Sequence, residues 1–315
     1  MKTRFSPGMV ILVLCLGSLS GSLMQSLVIP IQAFLPELLN TAPGNASWAV
    51  TATLLAAAVT MPVSGRLADL YGKKRVMVVS MAILVVGSFL AAISNSLAPF
   101  LAGRALQGIA MGYIPVAISM VGEVAPKEKR GGAIAAVSAT LGVGGALGLP
   151  LAAWIAQDYS WHGLFWVSTG LAAVMLVLTQ IVVPHVRDEH PGKVDVVGVI
   201  GLAIGLCSAL IGVSKGSEWG WTDGRTVGAI VGGLVVLLLW GAYELRHHDP
   251  LVDLRTSAKR PVLFTNLAAV LIGFGMMAQA IVVPQLLEMP EITGYGLGQS
   301  ILAAGLWMAP GGLMM

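Results

Sequence analysis

The sequence predicts an all-α polytopic membrane protein, and three observations carry that prediction. Of its 315 residues, 56% are apolar and only 10% charged, against about 25% charged in a soluble domain, and its mean hydropathy is +0.84. Uncharged stretches run from 5 to 36, 38 to 65, 76 to 103, 131 to 157, 159 to 186 and 261 to 287. Each is long enough for a crossing, which takes about 20 residues for a ~30 Å hydrocarbon core. The ~10-residue alternating segments of a β-barrel are absent. Bulk composition therefore excludes a soluble enzyme or a nucleic-acid-binding module.

Breakers and polar clusters divide the chain into ten expected spans, near 9–30, 48–66, 76–94, 99–121, 132–156, 163–184, 195–214, 227–245, 262–287 and 298–315. The first follows Lys2 and Arg4 like a signal peptide, but it runs on to Leu35, too long for a ~7–15-residue h-region. It is expected to be retained. Asn40 to Ser47 separates spans one and two, with Ser47 expected to cap the helix that opens at Trp48. That capping reading also takes precedence over the formal glycosylation sequon Asn45-Ala46-Ser47. Asn95 to Pro99 separates spans three and four. Cys15 and Cys207 each sit in an apolar run, which reads as two buried thiols rather than a disulfide or a metal pair.

Orientation follows from Lys and Arg. With the N-terminus inside, 15 of the 18 cations fall on cytoplasmic segments, Lys2, Arg4, Arg187 and Lys193 among them. Lys215 and Arg225 fall outside, and Arg104 lies within span four. This is a strong positive-inside pattern and predicts a cell (plasma or inner) membrane protein with a cytoplasmic N-terminus. The last apolar run, Ile301 to Met315, has no flanking charge, so the sequence predicts a longer protein cut within its tenth span.

An internal repeat stands 254 positions apart. Gln25, Val28, Pro30, Pro36 and Glu37 match Gln279, Val282, Pro284, Pro290 and Glu291 without a gap. Span nine thus reads as a second copy of span one in the same orientation. Parallel repeats of a helical bundle mark transporters, whose substrate site lies at the repeat interface. Gln25 and Gln279 are accordingly expected to face one cavity from opposite sides.

Between spans two and three stands Gly65-Arg66-Leu67-Ala68-Asp69-Leu70-Tyr71-Gly72-Lys73-Lys74-Arg75. This resembles the loop signature of the Major Facilitator Superfamily, G-x-L-a-D-r-x-G-r-k, lacking only the basic residue at Leu70. The resemblance implies a latch between the two halves of a helical bundle, formed by Gly65, Asp69, Gly72, Lys73, Lys74 and Arg75. Gly65 is expected to let helix ends approach, and Gly72 to permit a tight turn. Arg104-Ala105-Leu106-Gln107-Gly108 resembles the family's R-x-x-q-G. An arginine inside a span is costly and by default functional, so Arg104 and Gln107 join Gln25 and Gln279 as expected cavity residues. Gly144, Gly148 and Pro150 of span five are similar to an antiporter motif, G-x₈-G-P-x-x-G-G. They depart from it at Leu149 and at Ala152-Ala153.

Spans seven and eight, opened by Asp195-Val196-Val197-Gly198, then read as an insertion. The expected organisation is 1–184 as a six-helix bundle, 185–261 as two inserted helices with flanking loops, and 262–315 as the start of a second bundle. That order resembles the fourteen-span drug:proton antiporter branch. It implies export of amphipathic drugs or antibiotics, with the lipid bilayer, a small molecule and protons as partners. Transport of another small solute, or a scaffold role if the short chain is natural, are the alternatives. No cofactor or metal is expected, because no His/Asp/Glu cluster of metal spacing and no nucleophile with a base occurs within the spans. Branch members usually carry an acidic residue where Met24 or Gln25 stands here. The remaining proton-linked candidates are peripheral: Glu37, Glu123 and Glu291.

Overall fold

The computed structural model describes residues 5–32, 34–186 and 194–313. All regular structure among them is helical. Lys2, Arg4, Arg187 and Lys193, which entered the orientation argument, lie outside the described residues.

Helix α1, Pro7–Ser26, opens with Pro7 in its first turn and with the Met9 N–H donating to Ser6 Oγ at 3.4 Å. Proline suits that position because the amide it lacks would have no partner in the first turn. The helix stops at Ser26, four residues short of Pro30, and residues 27–32 form successive turns. Short helices α2 (Leu35–Leu38) and α3 (Pro43–Ala46) follow, and α4 (Trp48–Tyr71) is span two. Ser47 does not cap α4 as expected. Its backbone is already helical, and its hydroxyl donates back to the Gly44 carbonyl at 2.8 Å.

Gly72, at φ +92°, is the whole connection between α4 and α5 (Lys73–Ala92). Positive φ is cheap only for glycine. Span four is two helices, α6 (Leu97–Ala110) and α7 (Tyr113–Val124). The cause is Pro115, which has no N–H for the Met111 carbonyl four residues back. That carbonyl is taken instead by the Ile114 amide, at 3.1 Å.

Helices α8 (Arg130–Asp158) and α9 (His162–Val182) complete six spans. Next comes an antiparallel hairpin, α10 (Val196–Trp219) and α11 (Gly224–Glu244), each capped by an aspartate. The Gly198 N–H donates to Asp195 at 2.9 Å and the Arg225 N–H to Asp223 at 2.7 Å. Short α12 (Leu254–Ser257), long α13 (Arg260–Glu288) and α14 (Ile301–Leu313) end the description. Among the described residues, eight helical segments are long and apolar enough to cross a membrane; α13 has the length, while α14 has 13 described residues.

Two large apolar clusters, with a small third around Ala57, Met111 and Ile114, form the core of the first six spans. One holds Leu14, Met77, Met81, Tyr113, Met120 and Val137; the other holds Leu27, Ile31, Leu35, Phe100, Leu164 and Phe165. Phe100 meets Phe165 and Trp161 edge-on, at 5.3 and 5.7 Å between centroids, an arrangement the ring quadrupoles favour. The α10–α11 hairpin packs through glycines, with Gly205 against Leu237 and Gly233 against the backbone of Ala209. Small residues allow such close approach where lipid offers no hydrophobic drive. The hairpin lies against α4, and α14 lies along α8. Cys15 and Cys207 are free and half-buried.

Candidate functional site

The most heavily buried polar arrangement centres on Arg104 of α6, which has no solvent exposure. The outer-surface position that snorkelling would give it is therefore not occupied. Its Nε donates to the Ala49 carbonyl of α4 at 2.8 Å. Nη1 donates to Gln107 Oε1 at 2.6 Å and, at a long 3.5 Å, to the Met24 carbonyl of α1. Gln107 passes the chain on, its Nε2 donating to Ser88 Oγ of α5 at 2.9 Å, and Ser88 Oγ lies 3.3 Å from Met24 Sδ. Thr53 Oγ1 donates to the Arg104 carbonyl at 3.0 Å. One network thus ties together α1, α4, α5 and α6.

Local sequence explains how four helices come close enough. Gly87 and Gly103 each present a bare Cα to the other's backbone, and a Cβ at Gly103 would stand 2.7 Å from the Gly87 carbonyl oxygen. Arg104 and Gln107 are three apart, hence neighbours on one helix face. The guanidinium meets carbonyl and amide dipoles, and Nη2 keeps no partner among the described residues. A buried donor left unpaired costs about 1–3 kcal/mol. The site therefore holds one unpartnered donor nitrogen, Nη2, for water or for an acceptor atom of a ligand.

Gln25 is half-buried on α1, whereas Gln279 is exposed on α13. The principal packing partner of α13 is α14, so exposed Gln279 shares no packed interface with Gln25. The repeat also diverges in shape, since Pro30 follows the end of α1 but Pro284 lies inside α13. Its last two residues do agree in setting: Pro36-Glu37 lie within short α2, and Pro290-Glu291 open a single 3-10 turn.

In the loop motif, Lys73 and Lys74 are buried, Asp69 half-buried and Arg75 exposed. Lys73 forms an ion pair with Glu123 at the end of α7. Arg66 reaches Asp249, beyond α11, at 3.7 Å. A Cβ at Gly65 would meet nothing within 4 Å, so the close approach expected there is not made among the described residues. Gly72 does make the expected tight turn. In α8, Gly144 and Gly148 face α1: a Cβ at Gly144 would stand 2.7 Å from Ser22 Cβ, and one at Gly148 would fall on Ser26 Oγ. Ser26 Oγ donates to the Gly144 carbonyl at 3.2 Å. Pro150 faces α14, whose Gly305 would place a Cβ 3.2 Å from the Pro150 backbone. Glu37 and Glu291 are exposed.

Sequence reasoning missed Ser88 and the carbonyls of Met24 and Ala49. A serine inside an apolar run is a weak signal, and carbonyls leave none.

The family model of the Major Facilitator Superfamily matches residues 14–315. An MFS-type transporter of Mycobacterium tuberculosis (strain ATCC 25618 / H37Rv) is 29% identical over 300 residues, 94% of this chain and 42% of that protein. A lincomycin resistance protein, LmrB, of Bacillus subtilis is 26% identical over 279 residues, 88% of this chain and 57% of its own. A probable triacylglyceride transporter of Mycobacterium bovis is 31% identical over 246 residues, 73% and 46%. The chain thus spans about half the length of the curated relatives it matches. The solved xylose transporter XylE of E. coli, in a partially occluded inward-open form, superposes with TM-score 0.57 at 14% identity, covering 95% of this chain and 70% of that one; this likeness concerns the fold. With eight membrane-length helices and a family match from residue 14 to the last, the chain belongs to the Major Facilitator Superfamily, a family of membrane transporters.

Proposed function

We propose that the full-length protein is a secondary active transporter that exports amphipathic drugs or antibiotics by alternating access, coupled to protons. The observation that carries this reading is the Arg104 network, a buried cation with a free donor joining four helices of the first bundle. Such a group is expensive within a membrane and is retained where a pathway needs it. The likeness to a lincomycin resistance protein favours a drug as cargo. The organisation is the one expected from sequence: a six-helix half over 1–184, inserted helices over 185–261 and a second half opening at 262, as in the fourteen-span branch. The protein lies in the cell membrane with its N-terminus in the cytoplasm.

In this reading Arg104, Gln107 and Gln25 offer polar contacts to the cargo, and Gln279 joins them when α13 closes against α1. The cluster of Gly65, Asp69, Gly72, Lys73, Lys74 and Arg75 latches the halves on the cytoplasmic side. Close packing of Gly144 and Gly148 on Ser22 and Ser26 lets α1 and α8 move as one body around Pro150. Proton uptake falls to Glu37, Glu123, Glu291 or a carboxylate of the second half.

A lipid cargo is the second reading, favoured by the 31% identity to the probable triacylglyceride transporter. One experiment separates the two. The full-length protein is expressed in a drug-sensitive bacterium, and lincomycin accumulation is measured with and without a protonophore. In parallel, labelled triacylglyceride release is followed. Drug export requires lower accumulation that the protonophore reverses and that Asp69→Asn abolishes while membrane insertion persists. Lipid release with unchanged drug accumulation selects the second reading.

A further inference from the structure

Among the described residues, buried charge away from Arg104 and from Lys73 and Lys74 of the loop motif lies at the base of the α10–α11 hairpin. Asp195, the cap of α10, is 6% exposed, and Glu244, the last residue of α11, is 2% exposed. The antiparallel hairpin brings both to one end. Each carboxylate has one oxygen satisfied. Asp195 Oδ1 accepts from the Gly198 N–H at 2.9 Å and from the Tyr243 hydroxyl at 3.0 Å. Glu244 Oε2 accepts from the Val252 N–H at 3.2 Å. The other two oxygens, Asp195 Oδ2 and Glu244 Oε1, are buried without a hydrogen-bond partner among the described residues. Both lie against the same bare Cα, for a Cβ at Gly198 would fall on each of them.

Two ionised carboxylates can only accept, so two such oxygens aimed at one point repel and leave each other unsatisfied. Like charges set together in a buried site oppose each other's ionisation. A single proton resolves the conflict by turning one oxygen into a donor for the other. Among the described residues no cation donates to the two free oxygens, although His247 lies near enough to interact electrostatically with Glu244. Tyr243 is spent on Asp195, and His247 stacks on the Tyr243 ring at 5.1 Å. From α4, which packs on α10, Arg66 reaches Asp249. Arg255 on α12, beside Asp253, donates to the Leu245 carbonyl at 2.9 Å, while Arg246, His248 and Lys259 are exposed.

We propose that Asp195 and Glu244 form a one-proton site, with the proton held between Asp195 Oδ2 and Glu244 Oε1. The site stands apart from the cargo reading above. Gly198 is required because a side chain there would occupy the space between the two oxygens. Loss of the proton restores the repulsion and pushes Glu244 off the Val252 amide, loosening residues 245–252. That segment carries Asp249, the partner of Arg66 in the loop motif, so protonation at the hairpin base is linked to span two.

The test uses the purified chain in nanodiscs, compared with Asp195→Asn, Glu244→Gln and the double variant. Because the proposed site keeps a proton that unfolded carboxylates give up near pH 4, wild-type stability is expected to fall as pH rises above that value. A slope of one proton is a tenfold change in the unfolding constant per pH unit. In either single variant the amide supplies the missing donor, so this slope is expected to vanish. Infrared spectra of the wild type give a second reading, a protonated-carboxyl stretch at neutral pH that shifts in deuterated water and is lost in each single variant. A wild type with a flat profile and no such band overturns the proposal. So does stabilisation at high pH by added sodium or calcium ions, which would put a metal cation where the proton is placed.

Discussion

Between α1, α4, α5 and α6 the protein buries one cation, and at the base of α10 and α11 it buries two carboxyl groups, neither site with an ion-pair partner among the described residues. A guanidinium has five donors fixed in a plane, so carbonyls of Ala49 and Met24 and the Gln107 amide can share its charge. A carboxylate has only acceptors, and a second carboxylate cannot help it until a proton arrives. The same burial is therefore tolerated by different means, backbone dipoles in one region and proton binding in the other. Removing charge should cost stability at the first site and cost little or even stabilise at the second.

The largest expected effect is that of Arg104→Ala. It strips donors from two carbonyls and from Gln107 and leaves a cavity, for a loss on the order of 3–5 kcal/mol. Denaturation midpoints in micelles measure it, and Arg104→Met, which refills the volume, should recover part of the loss. A silent Arg104→Ala would end the contrast between the two regions. Gln107→Leu comes next, at about 1.5–3 kcal/mol, because it breaks a hydrogen bond to a charged group and orphans Ser88. Full stability in that variant would mean that Arg104 is held by carbonyls alone.

At the second site, Glu244→Gln should stay within about 1 kcal/mol of wild type near neutral pH and exceed it at high pH. A loss as large as that of Gln107→Leu would place both sites in one class. Smallest of all is Lys215→Ala, at the far end of the same hairpin. Lys215 pairs with Glu218 at 2.7 Å, near the Trp48 ring, with Glu218 38% exposed. A partly exposed pair contributes about 0.2–1 kcal/mol, and thermal midpoints in high salt should show even that fading.

Spans were legible in the sequence because length and hydropathy decide them without tertiary detail. Their ends were not. Pro30 was placed inside span one, yet the helix closes at Ser26, and Pro115 splits a span that hydropathy reads as continuous. Arg104 stood out because its charge is anomalous in an apolar run, whereas its partners are backbone carbonyls, which every residue has. Asp195 was visible as an opening aspartate before Gly198. Glu244 carries no motif in the sequence, since only the fold of the hairpin sets it beside Asp195. Ser22 and Ser26 were unremarkable until Gly144 and Gly148 were found against them.

Gly72 leaves α4 and α5 almost no slack. With a single residue between them, the Cα atoms of Tyr71 and Lys73 can never be more than about 7.6 Å apart. The two helices are a coupled lever: a tilt of one drags the end of the other, on whatever timescale the tilt occurs. A bulky cargo pressing on α4 would be felt at Lys73 and through its ion pair at the end of α7. Lengthening this tether, rather than altering any charge in it, is the change that would let the two spans move independently.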